Sequence, residues 1–138
     1  MITKYKIFEA KYKSVKDKEY QKQKSLKSDI RWGMFNDNLF KIEETIAEGG
    51  DVNTQDGQGT SIFIYLAKLS DIAFFSNDGI FHLYDIIIKK GADWNHKDYQ
   101  GFDFSDFASE ELITSLKNKY PTEYNNYLIN KQTNKFKI

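Results

Sequence analysis

The chain has 138 residues and no cysteine, which excludes a disulfide framework, a thiolate metal site and a cysteine nucleophile. Hydrophobic residues make up 40% and charged residues 29%, enough to fill and cover one core in a domain that buries roughly two thirds of its unfolded surface. The formal net charge is zero, yet the charges are segregated: ten basic against four acidic residues from Met1 to Arg31, five against fifteen from Trp32 to Leu112, five against one from Ile113 to Ile138. An acidic body between two basic ends points to charge-selective contacts with a partner or within the chain.

In chain order, the first residues are interrupted by Lys4 and Lys6 before any apolar run reaches signal-peptide length, and no later run approaches about 18 apolar residues. A cytoplasmic protein with no membrane span is expected. Ile2, Tyr5, Phe8, Tyr12 and Val15 recur at steps of three and four, so residues 1–27 are read as a basic N-terminal helix or arm that packs on the body through this stripe. Apolar periodicity then predicts helices at 28–36 and 39–48, at 61–73 and 80–90, and at 103–108 and 110–118. Pro121 opens a last helix that ends near Asn130, and the lysine-rich residues 131–138 are expected to be a disordered tail.

Self-comparison organises these elements. The segment Gly49 to Gly59 aligns with Gly91 to Gly101 at a constant offset of 42 residues, with Gly, Asp, Asn, Asp, Gln and Gly coinciding. A glycine after an apolar helix supplies a left-handed cap, and the Asp/Asn/Gly cluster that follows supplies a tight turn. Each unit therefore reads as helix, turn, helix, and a fixed period of this kind marks stacked supersecondary units.

These residues carry a resemblance to the ankyrin repeat family, whose helix-Gly-Ala-Asp-Val-Asn-x-x-Asp-x-x-Gly junction stands almost intact at Gly91 to Gly101. The resemblance implies an all-α fold: an ankyrin-type stack of about three units over residues 28–130, with an N-terminal helix, a C-terminal cap, and hairpin-like fingers that project sideways. Two departures accompany it. The family's Thr-Pro-Leu-His helix start is replaced by Ser61-Ile62-Phe63-Ile64 and by Asp103-Phe104-Ser105-Asp106, and the period exceeds the usual 33 or so, placing about nine extra residues near Ser70 to Gly79.

Catalytic and ligand chemistry finds little support. His82 and His96 fall on a helix and in a finger, a spacing unsuited to a closed metal site, and they are read as surface or packing residues. The stretch Asp51 to Gly57 places its glycine one position late for a calcium loop and lacks the twelfth-position glutamate. Gly57-Gln58-Gly59 lacks the third glycine and the Lys-Ser/Thr pair of a phosphate loop. No serine, histidine and aspartate grouping has a motif. The expectation is a protein with no enzymatic activity, metal, cofactor or small-molecule substrate.

What the resemblance implies instead is the binding of another protein. The charge pattern makes that partner basic, in the manner of an inhibitor or immunity-type protein neutralising a toxin or nuclease. The fingers supply the candidate partner-binding residues, all expected to reach solvent: Gln55, Asp56 and Gln58 in one, His96, Lys97, Asp98 and Tyr99 in the other. Tyr99 stands out, because an aromatic ring at a turn tip has little turn-forming value and tyrosine is favoured at binding hot spots. Asp56 and Asp98 carry a competing reading as turn formers. Phe74 and Phe75 read as core filling before an exposed hot spot. The alternative function is a nucleic-acid-associated protein that grips phosphates with the N-terminal lysines, but Glu9, Asp17 and Glu19 dilute that patch and favour a solvated helix face.

Overall fold

The computed structural model describes residues 30–72 and 77–135. The N-terminal stripe from Ile2 to Val15 and the pair Phe74 and Phe75 lie outside the described residues. Within them the chain is mostly helical and all-α, with no strand beyond an isolated antiparallel bridge between Gln55 and Ser61. No helix among the described residues is long and apolar enough to cross a membrane.

Residues 30–35 are helical and lead into α1, Leu39–Ala47. Asn38 starts α1 by accepting the Lys41 N–H at 3.0 Å on its side chain, satisfying one of the amides that a helix N-terminus leaves unpaired. The spacing of Ile42, Thr45 and Ile46 turns one stripe inward, and all three are buried. Two glycines let the two helical segments approach. A Cβ at Gly33 would sit 2.6 Å from Ile42 Cγ1, and one at Gly50 would sit 2.7 Å from Ile30 Cδ1.

The next helix, α2 (Ile62–Leu69), begins on the Ser61 side chain and buries every residue except Lys68. A helix that is apolar all round belongs at the centre of its domain, and α2 indeed contacts both α3 (Asn77–Lys89) and the short helix that follows. It ends at Leu69, sooner than the 61–73 expected, while α3 already includes Asn77, ahead of the start expected at residue 80. The Asn77 side chain is held by Glu111 at 2.8 Å, a tertiary contact that no local pattern announces.

Where a helix was expected at 103–108, the chain makes a single 3₁₀ turn, Phe104–Asp106. Asp103 and Asp106 cap each other's backbone N–H groups reciprocally, which closes one turn and stops it. Ser109 then caps α4 (Glu110–Lys119), and Pro121 opens α5, which continues to Lys135. Residues 131–135, read from sequence as part of a disordered tail, are thus helical. The physical reason is Lys131, whose ammonium lies 3.0 Å from Ser105 Oγ, 3.2 Å from the Tyr127 hydroxyl and 3.5 Å from Asp103 Oδ2.

Aromatic rings hold the centre. Phe63 of α2 lies 4.9 Å from Tyr84, 5.0 Å from Trp94 and 4.9 Å from Phe104, centroid to centroid, in the tilted and edge-on arrangements that ring quadrupoles favour. Tyr127 of α5 closes over Phe104 at 4.9 Å and Trp94 at 6.3 Å. The hydroxyls of these buried tyrosines are answered: Tyr84 donates to the Phe63 carbonyl at 2.6 Å and Tyr127 to Asp103 Oδ2 at 2.8 Å.

Burial alone pushes the Asp103 carboxyl up, but hydrogen bonds from Ser105 and Tyr127 and the charge of Lys131 outweigh it and hold it below the usual carboxylate range. A carboxyl depressed in the folded state contributes stability above its unfolded pKa, and that stability is lost as pH falls through the folded value. The melting temperature should therefore fall below about pH 4, and Asp103→Asn should flatten that limb in an acid series followed by circular dichroism. Phe63→Ala should cost about 3–5 kcal/mol, measured by urea unfolding, because it removes the ring that touches three others.

Candidate protein-binding face

The two segments that align in sequence fold into two fingers with matching hydrogen bonds. In the first, Gly49 takes φ 104° and Gly59 φ 80°; in the second, Gly91 and Gly101 both take φ 87°, a region where glycine alone is unstrained. The first glycine of each pair ends a helix. Gly49 and Gly50 donate to the carbonyls of Ile46 and Thr45, and Gly91 and Ala92 to those of Ile88 and Ile87, all at 3.0–3.1 Å, which is the Schellman closure of orphaned helical carbonyls.

At the turns, Asp56 Oδ1 accepts the N–H groups of Gln58 and Thr60 at 2.8 and 3.0 Å, and Asp98 Oδ1 accepts those of Gln100 and Phe102 at 2.9 and 3.0 Å. The Asp56 and Asp98 amides in turn donate to the carbonyls of Thr60 and Phe102. Each aspartate thus replaces the backbone partners that a projecting loop cannot find in a helix.

The fingers are tied to each other and to the next element. Asn53 accepts the Asp93 N–H at 2.9 Å and donates to the Gly91 carbonyl at 3.3 Å. Its counterpart Asn95 donates to the Tyr127 carbonyl of α5 at 3.2 Å. His96 Nε2 lies 2.7 Å from the Gly59 carbonyl, an acceptor, so Nε2 carries the hydrogen. The Tyr99 amide donates to the Gln58 carbonyl at 3.1 Å, and its hydroxyl accepts from Gln55 at 3.2 Å. A Cβ at Gly59 would fall 2.7 Å from the Tyr99 ring.

This geometry revises the expectation that every finger side chain reaches solvent. Tyr99 is 70% exposed, and Gln58 and Lys97 are also exposed. Asp98 is buried, and Gln55, Asp56 and His96 are half-buried, because each is engaged in a turn or in the tie between fingers. The exposed part of the set is therefore aromatic, amide and cationic.

The sequence reading missed two groups. Asn53 and Asn95 were visible as identities at the 42-residue offset but read as turn formers, whereas they join units. Lys68 is the lone charge in Ile62–Leu69, and that isolation was its signal. Its ammonium sits 4.7 Å above the Phe107 ring, and Lys68 lines a groove of about 330 Å³ with Gly57, Gln58, Asp98, Tyr99 and Gln100.

Elsewhere, a cleft of about 430 Å³ between α3 and α4 contains Asp85, Lys119 and Tyr120. Burial and the Asp85 carboxylate push the Tyr120 hydroxyl up to about 12. Asp85 itself is committed to Lys119 at 2.6 Å and to Tyr120. His82 pairs with Glu43 at 2.6 Å and so links α3 to α1.

Removing a turn acceptor should loosen its finger and leave the helices folded. Asp98→Ala should cost about 1–3 kcal/mol by thermal unfolding, since two amide donors lose their partner, and it should speed hydrogen exchange at Gln100 and Phe102. Compared with protein-family models, curated proteins and solved structures, the chain matches none of them.

Proposed function

We propose that this chain is a protein-binding module of ankyrin type, non-enzymatic and free of cofactors, whose fingers present Tyr99 to a basic partner. The exposed yet fixed ring of Tyr99 carries this reading. Exposure alone would not distinguish Tyr99, since Phe35 and Phe40 are more exposed, but the Tyr99 ring is also held in place by Gly59 and Gln55. Pre-ordering of this kind lowers the entropy cost of docking. The repetition of both fingers at one offset supports the stacked-unit reading, with α5 in the role of the terminal cap.

Charge supports the character of the partner. Glu44, Glu48, Asp51 and Asp93 are exposed along the helix ends and finger bases, within a body that carries fifteen acidic and five basic residues. Such a field speeds the encounter with a basic surface and excludes acidic ones. An inhibitor or immunity-type protein that neutralises a basic toxin or nuclease fits this pattern.

Affinity capture with the full chain, followed by surface-based kinetics on the protein captured, tests the reading. Association should slow as salt rises, and Glu48→Lys should slow it further. Tyr99→Ala should raise the dissociation rate about tenfold or more, while Tyr99→Phe, which keeps the ring, should lie close to the unmodified chain. A partner held equally well by all four proteins, with no salt dependence, would remove both the finger site and the basic partner.

A further inference from the structure

Lys68 combines three properties that surface lysines seldom share. It projects from a helix whose other seven residues are buried, its stem is half-buried, and its ammonium rests over an aromatic ring 4.7 Å away. Among the described residues no carboxylate lies within ion-pair distance of it. Asp98 lines the same groove, with its Oδ1 accepting the amides of Gln100 and Phe102, so the groove holds a positioned cation beside a carboxylate that is turned toward its own backbone.

Around that cation the surface is aromatic and amide-bearing. Phe107 lies under the Lys68 ammonium, Phe102 stands edge-on to Phe107 at 5.8 Å and is 43% exposed, and Tyr99 lines the groove itself. Gln58 and Gln100 line the rim, and a carboxamide can both donate to and accept from a peptide backbone. From this arrangement we infer that the groove behind the fingers receives an extended peptide segment of the partner. A glutamate or aspartate side chain of that segment pairs with Lys68, and its neighbouring apolar side chain lies on Phe102 and Tyr99. The inference rests on the protein-binding reading above and deepens it: the partner is a basic protein that inserts one carboxylate.

The electrostatics favour a single carboxylate over a polyanion. A nucleic acid or a cluster of phosphates would have to approach a body with fifteen acidic and five basic residues, and like charges at close range are repelled. One carboxylate on an otherwise basic segment meets attraction throughout, from Lys68 at the centre and from the acidic residues around it. A lone cation in an acidic surround also sets register, because a segment shifted along the groove would place its own lysine beside Lys68.

The experiment is a nuclear magnetic resonance titration of the full chain with the blocked peptide Ac-Lys-Phe-Glu-Lys-NH2 and with its analogue carrying Gln in place of Glu. The expected result is fast-exchange shifts of the Lys68, Tyr99 and Gln100 amides, with the Glu peptide binding about fivefold tighter than the Gln peptide. Lys68→Met, which keeps the apolar stem, should make the two peptides equal, and the same comparison in Lys68→Gln guards against an effect of the methionine. Equal binding of both peptides to the unmodified chain, shifts that map away from the groove, or stronger competition at these residues by inorganic phosphate or a short oligonucleotide would each overturn the inference. The two readings fail differently. A captured partner that depends on Tyr99 while the peptides bind equally removes the Lys68 contact alone, whereas loss of the Tyr99 and salt effects removes the module reading itself.

Discussion

A projecting finger leaves its turn amides without helical partners, and everything on this face depends on how those amides are satisfied. Asp56 and Asp98 do it with one carboxylate oxygen each, in the same pattern and at the same place in both fingers. An apolar residue at either position would leave two donors unpaired. Because these carboxylates are turned toward their own backbones, the fingers do not contribute the negative surface that a count of aspartates suggests. The acidic field comes from the helix ends and finger bases, and the tips are left to Tyr99, the glutamines and Lys97.

The same economy of partners governs the interior. The 3₁₀ turn at Phe104 is short because Asp103 and Asp106 close it, and Asp103 is also where Tyr127, Ser105 and Lys131 converge. A buried carboxylate so surrounded is stable only with every neighbour in place. It therefore ties α5 to the aromatic centre by a polar contact beside the packing of Tyr127 on Phe104 and Trp94. Loss of Lys131 alone would leave that charge less well answered, so the helical run to Lys135 and the burial of Asp103 belong to one arrangement.

Much of this was legible in the chain. The helices at Leu39–Ala47 and Glu110–Lys119 and the stops at Gly49 and Gly91 follow from apolar spacing and glycine placement, which are local signals. What escaped is tertiary. α3 already includes Asn77, which Glu111 reaches, α5 continues because Lys131 finds two hydroxyl oxygens and a carboxylate, and Asn53 reads as a turn former until the next finger lies beside it. At the candidate site, the residue types were visible but not the direction of their side chains: Asp98 appears as an exposed acid in sequence and is a buried acceptor in the fold. Lys68 could be noticed as an isolated charge, but the ring beneath it lies 39 residues further on.

The hydrogen bond from His96 to the Gly59 carbonyl also orders the imidazole ring. A neutral imidazole donates from one nitrogen only, so this contact selects a single tautomer. Because the Tyr99 ring stands against the same glycine, Gly59 carries both the spacing of the two fingers and the footing of that ring, and a side chain there would disturb the two together.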